Sequence, residues 1–303
     1  MRSNLVRVAL ATTALLSFVM LLTACGGDDD ATATPSASPT NQPSTVNATP
    51  TGPTPTRTPV NVSIEEEITV FAASSLTEAF TQIAEDYEAA FPGIGINVVF
   101  AGSQQLRTQL EQGAEADVLA TADEEQMDLA ASSGLVSGFR FTFARNRLVI
   151  IVPDENEAGL TEPEDLAQPG VKVVIGGENV PVGRYGREFL DAASQQSDFG
   201  GDFADAVLGN VVSEASNVRE IVSAVQLGEV DAGIVYVTDV TQSVSGDVST
   251  IEIPDDLNPE ARYPIALTHL GAPKDNAQGF IEYVMSEAGQ ATLGLFGFAP
   301  GVP

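Results

Sequence analysis

The residues of this chain that could do chemistry are hydroxyls and amides at the ends of strands, not clusters of acids, bases or thiols. The stretch Thr69-Val70-Phe71-Ala72-Ala73 reads as a buried strand, with Ile68, Val70 and Ala72 alternating against Thr69 and Phe71. From Leu76 the spacing turns helical through Phe80, Ile83 and Tyr87. Ser75 and Glu78 have the S-x-x-E spacing of a capping box, which predicts a helix start at Ser75. A helix start has free N–H donors and a partial positive charge, so its chemistry is anion binding. The same pattern recurs. The strand Gly95–Phe100 runs into Gly102-Ser103-Gln104 and a helix carrying Leu106 and Leu110. A third strand leads to Asp123, which should cap a helix through Leu129. A Pro- and Gly-rich turn precedes a helix running to about Ala192, Asn217 and Glu220 fit another capping box, and Tyr236 ends a strand.

Other chemistries lack their parts. Cys25 is the only cysteine, which excludes an internal disulfide and a thiolate metal site. His269 is the only histidine and follows an apolar strand, where a structural role is expected. A hydrolase would use Ser75 as its nucleophile, but the chain has no G-x-S-x-G elbow and no base placed by sequence. A cation binder is encouraged by the acidity, yet D-x-D-x-D-G and clustered His or Cys are missing. The formal net charge of −29 argues against nucleic acid and anionic membrane surfaces as partners. An anionic ligand is still compatible with it, because backbone dipoles aimed into a cleft outweigh a surface field screened within roughly 8–10 Å.

The elements that must position these residues begin after a long leader. Residues 1–25 show a basic start, an apolar run and Leu22-Thr23-Ala24-Cys25, an export signal whose end resembles the lipobox of bacterial lipoproteins. That resemblance implies lipid attachment at Cys25. Residues 26–65 are rich in Thr, Pro and Ser and should form a disordered, semi-extended linker. From Glu66 onward, strands alternate with helices, which implies parallel pairing with covered faces. Phe141–Val152 is a long apolar stretch interrupted by Arg145-Asn146-Arg147, a plausible crossing between lobes. Helices are expected at Asn276–Met285 and Gly289–Leu295.

Taken together, several motifs resemble the molybdate-binding proteins of ABC importers, a family of type II periplasmic-type solute-binding proteins. They are Val70-Phe71-Ala72-Ala73-Ser74-Ser75-Leu76, Ala116-Asp117-Val118, Phe143-Ala144-Arg145-Asn146-Arg147-Leu148, Val180-Pro181-Val182-Gly183-Arg184-Tyr185, Asn217-Val218-Arg219 and Ala232-Gly233-Ile234-Val235-Tyr236. The resemblance spans roughly residues 66–303. It implies an α/β fold of two lobes, mixed sheets flanked by helices, with the ligand in the interlobe cleft. Lobe 1 would be 66–144 with 267–303, and lobe 2 would be 145–266.

The resemblance also implies a site of neutral donors. The family's first serine falls on Ser75, its backbone N–H positions on Val182 and Val218, and its tyrosine on Tyr236. Its second serine falls on Gln104, with Ser103 just before, so either the Ser103 hydroxyl or the Gln104 amide would supply that contact. Contacts of Ser75, Ser103, Val182, Val218 and Tyr236 to a metal would be contacts to molybdenum as molybdate, not to a bare cation. Molybdate and tungstate are deprotonated tetrahedral dianions that need donors only; sulfate differs mainly in size. The expected function is capture of molybdate or tungstate and delivery to an ABC permease, with another oxyanion such as sulfate as the alternative and a serine hydrolase as a further one. No enzymatic turnover and no cofactor are expected. The partners are the small oxyanion, the permease and, through the Cys25 lipid, the outer face of the cytoplasmic membrane, with the chain working as a monomer.

Overall fold

The computed structural model describes residues 65–301. The expected signal peptide, Cys25 and the expected linker up to residue 64 lie outside the described residues. Strand β1 (Glu66–Ala73) is followed by a short 3-10 turn (Ser74–Leu76) and helix α1 (Thr77–Ala90). Then come β2 (Ile94–Ala101), α2 (Ser103–Glu111), β3 (Val118–Ala120), α3 (Glu124–Ser132) and β4 (Val136–Asn146). Only Arg147 separates β4 from β5 (Leu148–Pro153). After a 3-10 turn at Pro163–Ala167 the chain forms β6 (Val173–Gly176), α4 (Pro181–Ala193), α5 (Phe203–Gly209), β7 (Val211–Ala215), α6 (Val218–Gln226) and β8 (Ala232–Tyr236). It closes with β9 (Val248–Glu252), β10 (Ala261–Thr268), α7 (Asp275–Met285), α8 (Glu287–Leu295) and β11 (Ala299–Pro300).

These strands make two mixed sheets. The first has the order β11-β4-β10-β3-β1-β2 and the second β7-β6-β8-β5-β9. The strand–helix–strand units pair in parallel, β1 with β2 and β3 in one sheet and β6 with β7 and β8 in the other. Strands that arrive by crossing between lobes pair antiparallel: β10 with β3 and β4, and β5 with β8 and β9. The fold is therefore the expected two-lobed α/β architecture.

The chain first crosses between the sheets at Arg147, so Arg145 and Asn146, expected in lobe 2, stay in β4 of the first sheet. The second crossing also differs. Residues 261–266 were expected in lobe 2, but β10 pairs Ala261 with Asn146 and Ile265 with Ala120, both in the first sheet. The chain therefore crosses back between Glu252 and Ala261. Periodicity alone cannot make this distinction, because an apolar strand fits the interior of either sheet. The Asn258 side chain ties the crossings together, accepting from Leu148 N at 2.9 Å and donating to Leu148 O at 2.8 Å.

The helices bury the faces their spacing dictates. α1 covers the first sheet with Ala79, Phe80, Ile83 and Tyr87, and Phe80 packs on Phe143 and Phe280 at ring distances of 5.5 and 6.1 Å. In the second lobe α4 buries Val182, Tyr185, Phe189, Leu190 and Ala193, and α6 buries Val218, Ile221, Val222 and Val225. Gly183 sets how closely α4 meets the end of β6. A Cβ there would collide with the carbonyl oxygens of Gly176 and Gly177.

Candidate functional site

The starts of four helical segments face one another between the lobes. Ser75 comes from the 3-10 turn after β1 and Ser103 is the first residue of α2. Across the gap, Val182 is the second residue of α4, Val218 the first of α6, and Tyr236 ends β8. These five line one cavity together with Ala73, Ser74, Gly102, Ala122, Val180, Pro181 and Asn217. No charged side chain is among the lining residues. The space open to the centre of a water-sized sphere is about 10 Å³, roughly that of one water. A guest must shed its hydration shell to enter, and one larger than water needs small outward shifts of the walls.

Gln104, the sixth expected site residue, is not brought to the cavity. Its amide turns to the rim and donates from Nε2 to the Ser216 carbonyl at 2.6 Å, while Oε1 is buried without a partner among the described residues. Position along α2 explains this, since residues one apart on a helix point about 100° away from each other. Ser103 faces the cavity, so Gln104 cannot.

Several of the lining groups present donors. The amides of Val182 and Val218 stand within the first turn of their helices, with no carbonyl one turn earlier to bond. The expected cap of α6 is formed: Asn217 Oδ1 accepts from Arg219 N and Glu220 N at 3.0 and 3.2 Å, leaving Val218 N for the cavity. Ser103 Oγ accepts from Ala122 N at 3.0 Å and keeps its proton to donate. Tyr236 is 1 % exposed, and its hydroxyl has no partner among the described residues. Burial, together with the nearby phenol of Tyr263, pushes the Tyr236 hydroxyl well above its usual range, so it remains protonated.

Ser75 is the instructive departure. The predicted capping box with Glu78 is not formed, and neither the 3-10 turn nor α1 has a side-chain cap. Ser75 Oγ instead shares a hydrogen bond of 3.0 Å with Tyr263 OH, and Glu78 pairs with Arg219. The serine is therefore released from the backbone to face the gap. Asp123 does cap α3 as expected, accepting from Gln126 N at 2.9 Å.

The acidity is managed locally. Asp123 and Asp239 are buried near the cavity, and each meets an arginine: Arg184 Nε lies 3.3 Å from Asp123 Oδ2, and Arg219 Nε 3.7 Å from Asp239 Oδ1. Both arginines occupy first helical turns, where the dipole disfavours a cation. Their carboxylate partners account for them. A larger surface cleft sets the carboxylates of Glu124, Glu125, Asp128 and Glu260 against only Arg184 and Arg262, an acidic excess that disfavours an anion. Among the described residues no cluster of His, Cys, Asp or Glu is placed to hold a metal ion, and no helix is long and apolar enough to cross a membrane. Sequence reasoning did not single out Tyr263, Asn146 or Asp239, whose roles depend on partners far away in the chain. The only local signal was a tyrosine opening an apolar strand.

The model of the bacterial extracellular solute-binding protein family matches residues 68–299. The chain is 38% identical over 232 residues to the molybdate-binding protein ModA of Mycobacterium tuberculosis, covering 77% of this chain and 84% of that one. It is 30% identical over 234 residues to a putative ABC transporter substrate-binding lipoprotein, YvgL, of Bacillus subtilis, covering 76% and 85%. Among solved structures, the substrate-binding domain of a putative molybdenum ABC transporter from Clostridium difficile matches with a TM-score of 0.58 at 27% identity, covering 78% of this chain and 100% of that one. The periplasmic molybdate-binding protein of Azotobacter vinelandii shares the fold, with a TM-score of 0.65 at 20% identity, covering 78% and 99%. The chain belongs to the bacterial extracellular solute-binding protein family.

Proposed function

We propose that this protein captures molybdate or tungstate outside the cytoplasm and delivers it to an ABC permease, anchored to the membrane by a lipid on Cys25. The observation that carries the reading is the Tyr236 hydroxyl, wholly buried, without a partner among the described residues and facing a cavity whose polar groups include the hydroxyls of Ser75 and Ser103 and the first-turn amides of Val182 and Val218. An uncompensated buried hydroxyl costs about 1–3 kcal/mol. A guest that only accepts hydrogen bonds removes that cost, and a tetrahedral dianion offers four acceptor corners to donors arriving from both lobes. The molybdate binding of the mycobacterial relative supports the choice of ligand, and the lipoprotein description of the Bacillus relative supports the anchor. Serine hydrolysis finds little support, since Ser75 bonds a phenol rather than a base.

Sulfate is the second reading. It uses the same donors, and the tight cavity favours the smaller anion. Calorimetry of the mature protein with molybdate, tungstate, sulfate, hydrogen phosphate and Ca²⁺ separates the possibilities. Tight binding of molybdate or tungstate is expected; a preference for sulfate installs the alternative, and binding of Ca²⁺ alone rejects an anion site. Detergent-phase partition of the expressed chain, lost in Cys25→Ala, tests the anchor.

A further inference from the structure

Two glutamines of the first lobe reach across the gap in the same way. Gln104 of α2 donates from Nε2 to the Ser216 carbonyl at 2.6 Å, and Gln126 of α3 donates from Nε2 to the Asn179 carbonyl at 3.2 Å. A carbonyl oxygen only accepts, so the amide end that meets it is the NH2. For Gln126 the other end agrees, because its Oε1 accepts at 3.0 Å from Arg107 Nε, which only donates. The two acceptors hold matching places in the second lobe. Ser216 stands just ahead of Val218 at the start of α6, and Asn179 just ahead of Val182 at the start of α4. Each glutamine therefore grips the loop that carries one of the cavity's backbone donors, while neither lines the cavity itself. Gln105 adds a longer contact to the same loop, from Nε2 to Ser216 Oγ at 3.2 Å.

We propose that Gln104 and Gln126 are positioning residues that clasp the closed lobes: they set the amides of Val218 and Val182 toward the anion and govern how fast it leaves. The inference rests on the oxyanion reading above. The cavity is walled by both lobes, so an anion enters and leaves only when they part. The clasps are open at entry and must break before exit. They therefore act on the dissociation rate and not on the association rate. The two are unequal. Gln126 is 2 % exposed and bonded at both ends of its amide, whereas closure strips water from Gln104 Oε1 and gives it no partner among the described residues. The Gln104 clasp is the one that releases more easily. On the family resemblance a ligand-contacting serine falls at this position; here the side chain holds the opposite lobe instead.

The test follows release of a radiolabelled oxyanion (molybdate, or sulfate where titration prefers it) into excess unlabelled anion, with calorimetry for the affinity. Gln104→Met and Gln126→Met keep length and neutrality and remove the donor. Dissociation should quicken by about twofold to fivefold in Gln104→Met and about fivefold to tenfold in Gln126→Met, the scale of one neutral hydrogen bond. The association rate, obtained from the two measurements, should not change, and the unligated variants should melt close to the unmutated protein. Gln126→Glu keeps an acceptor for Arg107 but sets an oxygen against the Asn179 carbonyl. Read at high salt, which screens its added charge, it should quicken dissociation as well. Unchanged dissociation, or affinity lost through slower association, overturns the proposal. A large drop in the unligated melting temperature of both Gln126 variants overturns it too, since the residue would then support its own lobe. Failure of the unmutated protein to bind any tetrahedral oxyanion instead overturns the reading of the site itself.

Discussion

Arg219 Nε, in the first turn of α6 in one lobe, donates at 3.1 Å to the carbonyl oxygen of Ser74 in the other. The same guanidinium pairs with Glu78 of α1, so one side chain bolts the two lobes together beside the cavity. On the proposed reading its neighbour Val218 offers its amide to the guest, and Ser74 precedes the donor Ser75. Arg219→Leu should therefore weaken oxyanion binding by about 1 kcal/mol, the scale of a partly exposed ion pair plus one hydrogen bond. Raising the salt concentration should narrow the gap between the unmutated protein and the variant, because screening already weakens the ion pair. Calorimetry at two ionic strengths checks both effects.

The cavity residues should differ sharply from Gln104. Ser75→Ala, Ser103→Ala and Tyr236→Phe each remove a donor from the lining and should cost about 1–3 kcal/mol of affinity. Gln104→Ala removes a rim contact to Ser216 O and should cost under about 1 kcal/mol. A titration in which Gln104→Ala matches Ser103→Ala would return the second contact to the amide.

Gly102 is placed to permit closure. A Cβ at this position would collide with the Ser216 carbonyl of the opposite lobe. Gly102→Ala should therefore hold the lobes apart and reduce affinity by about tenfold or more, since binding selects the closed state. The clash with Ser216 disappears when the lobes separate, and the Gln104 amide, also close to the new Cβ, is the far end of a flexible side chain that can swing away, so the melting temperature of the unligated variant should be nearly unchanged. A large loss of unligated stability would place the defect in folding instead.

Asp239 makes stability depend on pH. Burial raises its carboxyl from the ordinary 3.8 to about 7, against the opposing pull of Arg219 and the Tyr236 amide. Between those values the folded state holds a proton that the unfolded state has released, so stability falls as pH rises through the window and the full cost remains above about pH 7. Asp239→Asn removes this slope. The melting temperature of the variant relative to the unmutated protein should rise from pH 5 to pH 8, measured by calorimetric scans without ligand.

What the sequence determined by itself was local. Alternating apolar residues in Ile68–Ala72 and helical spacing from Leu76 mark β1 and α1; Asn217 and Asp123 announce their helices because capping involves residues two or three apart. A polar break in an apolar run marked the neighbourhood of the first crossing, but not its place, since Arg145 and Asn146 remain in β4. Through the family motifs, five of the cavity residues were identifiable as well, although a backbone donor such as Val182 N leaves no chemical trace in its side chain. The tertiary structure alone decided what depends on distant partners. It moved Ala261–Thr268 to the first sheet, because an apolar strand has no local property that chooses its sheet. It took Ser75 away from its expected cap and gave it Tyr263, 188 residues on. It turned Gln104 outward and matched Arg219 with carboxylates in both lobes. The bond between Ser75 and Tyr263 exists only once β1 and β10 lie in one folded sheet, because nothing local in the sequence brings such distant residues together.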